Sequence, residues 1–277
     1  SLIIFFIMPE LPEVEITKKG ISPFVDSKVI QKIIVREYKL RWPIPKSLTW
    51  NLNNQKIIRL RRRAKYLLFD TIKGSMIIHL GMSGSLRIIE NSQPPLKHDH
   101  VDFIFDEYLL RYHDPRRFGC ILWTSNDPMK HRLITNLGPE PLSDEFNGDY
   151  LFLASKRRAS SIKTFIMNNT IVVGVGNIYA NEALFLSGIN PKHKANKISK
   201  IRYIKLVSSI KIILEKAIEK GGTTLRDFVN SDGKPGYFST ELNIYNRTGQ
   251  SCNVCKGKIK RIKQNQRSTF YCSSCQT

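Results

Sequence analysis

No stretch of the sequence approaches the roughly 18 consecutive apolar residues that a membrane-spanning helix needs. Acidic residues are scarce: 23 Asp and Glu stand against 44 Lys and Arg, a formal net charge of +21 over 277 residues. So lopsided a balance attracts polyanions. Nucleic acid is the first partner it suggests, an anionic membrane surface the second, and a merely basic soluble protein remains the plain alternative. Cysteine is also sparse, with five residues, four of them between Cys252 and Cys275. An odd count clustered in this way argues against a secreted disulfide framework and for a metal site in a reducing compartment. There is no internal repeat and no low-complexity tract. The apolar run Ser1–Ile7 has no basic residue before it and no small-residue cleavage site after it, so it makes a poor signal peptide. A Met stands at position 8. The expectation is that translation begins at Met8 and that residues 1–7 form an extension absent from the native protein.

With 41% hydrophobic residues the chain can bury a core. From Val29 to Trp123 short β-rich runs alternate with turns: Val29–Val35, Lys56–Leu60, Tyr66–Asp70, Met76–His79, Leu86–Ile89, Val101–Phe105, Leu109–His113 and Cys120–Trp123. Strands at this spacing predict an antiparallel sandwich or barrel. A helix precedes them over Pro12–Phe24, with proline in its first turn and Glu13 and Glu15 near the positive end of its dipole. Leu137–Tyr150 is rich in turn formers and acids and reads as a linker. Beyond it the chain turns helical. Apolar residues at Ile201, Ile204, Val207, Ile210, Leu214 and Ala217 mark a helix over Ile198–Lys220, stopped by Gly221-Gly222.

Cys252-x2-Cys255 and Cys272-x2-Cys275 are two knuckles of the kind that set four thiolates around structural zinc. Two disulfides are the alternative. Lys256, Lys258, Lys260, Arg261, Lys263 and Arg267 lie between the knuckles, so the hairpin joining them should present cations to phosphates. Cys120, alone in a strand, reads as a small buried hydrophobe. If Met8 is the initiator and is trimmed, Pro9 becomes the N-terminus. An α-amino group titrates near pH 8, so a useful fraction is nucleophilic at neutral pH. The amine of proline is secondary, and its adduct with a sugar carbon is an iminium that carries charge without a proton. Glu10 stands beside it, placed to shuttle protons. Taken alone, Pro-Glu here is also an ordinary helix entrance.

MPELPEVE (Met8 to Glu15), RRAKYLL (Arg62 to Leu68), HLGMSGSLR (His79 to Arg87), KHDHVD (Lys97 to Asp102) and DPRRFG (Asp114 to Gly119) occur in that order. LGPEPLS (Leu137 to Ser143), GVGNIYANE (Gly174 to Glu182), GGTTLRDF (Gly221 to Phe228), SDGKPGYF (Ser231 to Phe238) and the four-cysteine tail follow them. The series closely resembles the bacterial formamidopyrimidine-DNA glycosylases, from Met8 to the C-terminus. The resemblance implies an α+β fold: an N-terminal antiparallel β-sandwich with a flanking helix, then a helical helix–two-turns–helix domain with a zinc ribbon hairpin. Its expected divisions are an extension over 1–7, a catalytic domain over 8–136, a linker over 137–150, the helical domain over 151–243 and the zinc finger over 244–277. It implies excision of oxidised purines such as 8-oxoguanine from duplex DNA, followed by strand cleavage, in base excision repair. The expected protein is a cytoplasmic bacterial monomer with one structural zinc and no soluble cofactor. Damaged DNA would lie in a basic cleft between the domains.

The resemblance also implies roles. The amine of Pro9 would attack the deoxyribose, Glu10 would be its acid–base partner, and Glu13 a further acid near the site. Lys65 and Arg267 would grip phosphates beside the lesion and Asn177 would belong to the helix–two-turns–helix element. Met82, Arg116 and Phe118 would fill the void left by the extruded base. Read without the family, Met82 and Phe118 look like core residues. His79, His100, Lys163 and Arg117 are further expected DNA contacts, and the Gly221–Tyr237 stretch an expected lid over the lesion. A sister class removes oxidised pyrimidines. It typically has Gly where this chain has Leu11 and lacks the DPRRFG run, so those residues favour purine lesions. A non-catalytic zinc-ribbon DNA binder fits charge and cysteines equally well, but gives no reason for Pro9-Glu10 or for the void-filling trio. As printed, the Pro9 nitrogen is an amide and no nucleophile. The catalytic reading therefore requires that it be free.

Overall fold

The computed structural model describes residues 9–222 and 241–277. The expected extension over 1–7 and, except for Gly221 and Gly222, the expected lid lie outside the described residues. The chain divides into two compact units. One runs up to Thr135 and takes up Lys220; the other holds Asn136–Glu219 and, of the described residues beyond, those from Glu241 onward.

The first unit opens with α1 (Leu11–Val25). Its strands are β1 (Val29–Ile30), β2 (Lys32–Val35), β3 (Gln55–Lys56), β4 (Arg59–Arg63), β5 (Tyr66–Thr71), β6 (Gly74–His79), β7 (Ser85–Glu90), β8 (Asp99–Ile104), β9 (Tyr108–His113) and β10 (Cys120–Thr124), with the short helix α2 (Leu48–Leu52) between β2 and β3. Two four-stranded antiparallel sheets form, in the orders β10-β6-β5-β4 and β2-β8-β9-β7, with β1 and β3 as a separate ribbon. Of the antiparallel sandwich or barrel expected from the strand spacing, the sandwich is present, within the α+β fold that the resemblance implies. Period-two side-chain alternation sends Leu67, Phe69, Met76 and Ile78 of one sheet into a single core with Val101, Phe103, Leu110 and Tyr112 of the other. The helix α1 packs against β4 and β7, the end strands of the two sheets. Covered edges cannot template pairing with another chain. Cys120 is buried in β10, as expected of a small hydrophobe.

Two loops cross between the sheets side by side. Residues 80–84 carry the chain from β6 to β7, and residues 114–119 carry it back from β9 to β10. Pairing of His79 with Cys120, and of Ser85 with His113, makes these loops neighbours at both ends. The second sheet also buries an ionic network. Arg111 donates through Nε to Asp102 Oδ1 at 2.7 Å and through Nη2 to Oδ2 at 2.9 Å. Asp99 takes Arg87 at 3.0 Å and His113 at 2.8 Å. Burial by itself raises the Asp102 carboxyl, but hydrogen bonds from Arg111 and Arg36 outweigh it and hold the group below the usual range.

The second unit contains α3 (Gly148–Ser155), α4 (Ile162–Ile166), α5 (Asn177–Ser187) and α6 (Lys200–Glu219), then the hairpin β11 (Lys260–Gln264) and β12 (Arg267–Tyr271). The helix α5 is buried nearly all round and packs against α4, α6 and β12. The stretch expected as a linker is bonded into this unit. Gly138 N–H donates to Asn169 O, Val173 N–H to Pro139 O, and Lys211 Nζ to Ser143 O. Asn147 caps α3, accepting from Tyr150 N–H. Its turn formers and acids are thus used for caps and turns inside a folded unit, a pattern that local composition does not separate from a linker.

Replacing Arg111 with Leu leaves Asp102 buried opposite Arg36 alone. Urea unfolding should show a loss of about 3–5 kcal/mol with an unchanged m-value. A loss on the scale of an exposed pair, under about 1 kcal/mol, would contradict the network's importance.

Candidate active site and metal centre

Pro9 and Glu10 stand at the entrance of α1. Glu10 is the residue before the first helical turn, and its N–H donates to the Glu13 carboxylate at 3.0 Å. Both side chains are buried, at the positive end of the helix dipole, which favours carboxylate there. Thr17 Oγ1 donates to Glu13 O and ties down the second turn. Lys65 sits in the two-residue turn between β4 and β5, after Ala64, whose φ of +54° is rare for a residue with a side chain. Arg62 joins this turn to the helix. It donates through Nε to Glu15 Oε2 at 2.6 Å and through Nη1 to Ala64 O at 2.9 Å. The α1 entrance and the Lys65 turn are thereby fixed to one another through a largely buried pair. Glu15 and Arg62 lay within the matched motifs, but nothing in their spacing revealed that they meet.

His79 ends β6, and its ring lies 4.9 Å from that of Tyr66. Burial, with Lys65 and Arg41 nearby, pushes its imidazole down to about 4. The ring is therefore neutral at pH 7. Its Nδ1 accepts from Gly81 N–H at 3.0 Å, which leaves the proton on Nε2 and makes His79 a neutral donor. Met82 is half-buried in the 80–84 loop. In the neighbouring loop the Arg116 guanidinium stacks 4.8 Å from the centre of the Phe118 ring, and Phe118 is 44% exposed. An exposed aromatic under a cation is a surface feature and no part of the core. Arg117, with φ +54°, pairs through Nη1 with Glu37 at 2.8 Å on the surface. His100 is buried, its Nε2 at 2.8 Å from Asp114 O.

In the second unit Asn177 begins α5, after the turn made possible by Gly174 at φ +77°. The N-cap residue, Gly176, has no side chain to cap with, and Asn177 Oδ1 is buried without a hydrogen-bond partner among the described residues. The positive end of the α5 dipole at this turn favours an anion. Arg267 is exposed and directly follows the Asn265-Gln266 turn of the β11–β12 hairpin, in which both residues have positive φ. Lys163, expected as a DNA contact, is only 2% exposed. Its ammonium donates to Ser268 O at 2.9 Å and Thr269 Oγ1 at 2.7 Å, and so holds the strand that carries Arg267.

Two residues that sequence reasoning did not single out hold this strand and the segment that leads to the cysteines. Asn181 Oδ1 accepts from Phe270 N–H at 2.8 Å. Glu182, 1% exposed, accepts from three successive amides, those of Asn243, Ile244 and Tyr245. Burial pushes the Glu182 carboxyl up and the amides pull it partway back. Both lie in the GVGNIYANE run, so the motif held them without showing what they touch.

The Sγ atoms of Cys252, Cys255, Cys272 and Cys275 all lie within 4.8 Å of one another. Cys252 and Cys275 approach to 3.8 Å and Cys255 and Cys272 to 3.3 Å. Tetrahedral zinc with bonds of about 2.3 Å sets its thiolates roughly 3.8 Å apart, whereas a disulfide requires about 2.05 Å. The donor set therefore fits one zinc, and all five cysteines are free thiols. Burial and the neighbouring thiols push the Cys275 thiol up, a cost that a cation bound among the four sulfurs offsets. Gln276 locks the second knuckle, accepting from Cys272 N–H and donating to Ile189 O.

The chain thus joins a β-sandwich entered by a Pro-Glu helix to a helical unit bearing a four-cysteine hairpin that fits zinc, the make-up of a zinc-binding protein. Family models match in series: the formamidopyrimidine-DNA glycosylase N-terminal domain over residues 8–121, its helix–two-turns–helix domain over 137–229, and the zinc finger it shares with isoleucyl-tRNA synthetase over 249–277. A formamidopyrimidine-DNA glycosylase of Hydrogenovibrio crunogenus is 54% identical over 97% of this chain and 96% of its own. One from Pseudomonas fluorescens is 53% identical over 98% and 100%. A crystal structure of a glycine-to-proline mutant of the Lactococcus lactis protein with DNA containing Fapy-dG matches with TM-score 0.91 and 32% identity, over 97% of this chain and 99% of that one. The chain belongs to the formamidopyrimidine-DNA glycosylase family.

Two measurements follow from the site. Chelating zinc should melt the β11–β12 hairpin and abolish DNA binding before the sandwich unfolds, and a stripped sample binding at full strength would contradict that. The neutral form of His79 stabilises the fold fully above pH 6.5, its ordinary value, and that contribution is lost as pH falls from 6.5 to about 4. Melting temperatures across that range should therefore fall less steeply for His79→Asn than for the parent; parallel curves would refute the assignment.

Proposed function

We propose that this protein is a bifunctional glycosylase and abasic-site lyase that removes oxidised purines, 8-oxoguanine and formamidopyrimidines among them, from duplex DNA. The observation that carries this reading is the Pro9-Glu10 entrance of α1, with Glu10 and Glu13 buried in its first turn. With Pro9 as the first residue, its secondary amine attacks C1′ of the damaged nucleotide. The bond to the base breaks, and the base leaves with the bonding pair and a proton. Opening of the sugar ring, with O4′ protonated, yields a Pro9 iminium. Glu10 moves protons at the sugar. The iminium draws electrons from C2′, a proton is lost there and the 3′ phosphate is eliminated; a second proton is then lost from C4′ and the 5′ phosphate is eliminated. Hydrolysis of the iminium frees the enzyme.

Lys65 and Arg267 serve this chemistry by holding the departing phosphates. Asn177, at the positive end of the α5 dipole, takes a further phosphate. His79 donates to phosphate as a neutral group, and His100 and Lys163 support the DNA-contacting loops. Met82, Arg116 and Phe118 replace the extruded base and engage its orphaned partner. Six cations between the zinc knuckles are all exposed, in keeping with binding that weakens steeply as salt rises. The protein acts as a monomer in the bacterial cytoplasm. Among the described residues no helix is long and apolar enough to cross a membrane.

Borohydride reduction tests the nucleophile. A chain whose first residue is Pro9 should be trapped covalently on 8-oxoguanine duplex, and a chain with a residue before Pro9 should not. Absence of an adduct from the first, or strand cleavage by the second, overturns the mechanism. Glu10→Gln should slow base excision by roughly 100- to 10,000-fold, the usual worth of a positioned acid–base group. Parallel assays with thymine glycol should show the weaker activity; the reverse order would favour the pyrimidine-excising class.

A further inference from the structure

The three residues assigned to void filling sit on two different loops. Met82 is on the 80–84 loop, and Arg116 and Phe118 are on the 114–119 loop. A wedge divided in this way works only if the loops move as one body. Their backbones touch at two glycines. A Cβ on Gly81 would lie 2.4 Å from Gly119 N and from Phe118 C, and one on Gly119 would lie 2.6 Å from His79 O. Backbone contact so close permits the loops to meet, but by itself holds nothing.

Asp114 supplies the hold. Its side chain is wholly buried, at 0% exposure. Oδ1 accepts from Ser83 Oγ at 2.7 Å, and Ser83 Oγ in turn accepts from Arg116 N–H at 3.1 Å. Oδ2 accepts from Gly119 N–H at 2.9 Å and Tyr112 OH at 3.0 Å. The backbone carbonyl of Asp114 takes Arg117 N–H at 3.2 Å and faces His100 Nε2 at 2.8 Å. Its side-chain donors are two hydroxyls and one amide, and none of the ion pairs among the described residues includes it. A carboxylate held by neutral dipoles alone, in a protein with 21 surplus cations, is placed for its acceptors. Only an ionised carboxylate offers both oxygens as pure acceptors; the amide of Asn would turn a donor toward one of these three donors.

We propose that Asp114 is the positioning residue of the base-extruding wedge, joining the two sheet-crossing loops through Ser83 so that Met82, Arg116 and Phe118 are presented to the duplex together. The proposal rests on the void-filling assignment of those three residues. Loosening the link slows extrusion of an intact damaged nucleotide. It spares cleavage at an abasic site already formed, where no base has to be driven from the stack.

The test uses the zinc-loaded protein with its natural N-terminus and two substrates, an 8-oxoguanine duplex and a duplex with a preformed abasic site, under single-turnover conditions. Ser83→Ala and Asp114→Asn should slow excision by about tenfold or more, the scale of one hydrogen bond to a charged group, while abasic-site cleavage stays within about twofold. The fluorescence rise of a 2-aminopurine stacked beside the lesion should slow in step with excision. Tyr112→Phe removes an Asp114 partner without parting the loops and should leave the ratio of the two activities unchanged. Arg116→Ala and Phe118→Ala test the assignment beneath. If they shift the ratio and the Ser83 and Asp114 variants do not, the positioning role is wrong and the wedge stands. If Arg116→Ala and Phe118→Ala leave the ratio alone, the wedge itself fails and the proposal with it. An equal loss of both activities in the Ser83 and Asp114 variants, with a lowered Tm, reduces Asp114 to a structural residue and overturns the proposal. So does a Tyr112→Phe effect equal to that of Ser83→Ala.

Discussion

A carboxylate removed from water must find donors to replace the water it has lost. In this protein that requirement is met at several places where a functional loop or terminus is fixed. Glu13 answers the Glu10 amide at the start of α1. Glu15 holds Arg62, and through it the turn bearing Lys65. Asp114 gathers two loops, and Glu182 gathers three amides leading into the zinc-binding segment. Each of these carboxylates is engaged by hydrogen bonds from its own neighbours. The proposed reactive groups are held by these acids as much as by hydrophobic packing.

The two units solve different problems in the same way. In the sandwich, period-two side chains fill a core between sheets, and the loops at one end of it are free to carry Met82, Arg116 and Phe118. In the second unit the hairpin presents Arg267 beyond a two-residue turn, and three polar side chains hold its base: Lys163, Asn181 and Gln276. Zinc stabilises the knuckles, while these bonds tie the knuckles and strand to the helices. Loss of the metal and loss of a buried donor would therefore disturb the same strand by separate routes. Surface cations add long-range attraction without fixing any register.

Much of this was legible before any fold was known. The strand runs between Val29 and Trp123, the helix at Pro12, the long helix at Ile201 and the four-cysteine centre follow from period, punctuation and spacing, which are local properties. The chemistry of a proline amine beside a glutamate is equally local. Other features depend on pairs far apart in the chain, and no spacing rule reaches them. Asp114 meets Ser83 across 31 positions, Glu182 meets Tyr245 across 63, and Lys163 meets Thr269 across 106. Phe118 and Met82 read as core residues by type; only the loops on which they stand leave Phe118 exposed and Met82 half-buried. The stretch at Leu137 read as a linker because the turn formers that end one element also cap the next. The sequence by itself determined which elements form and which reactive groups exist, because both depend on neighbours in the chain. Tertiary structure alone decided which buried acid holds which loop, because that depends on where the strands return.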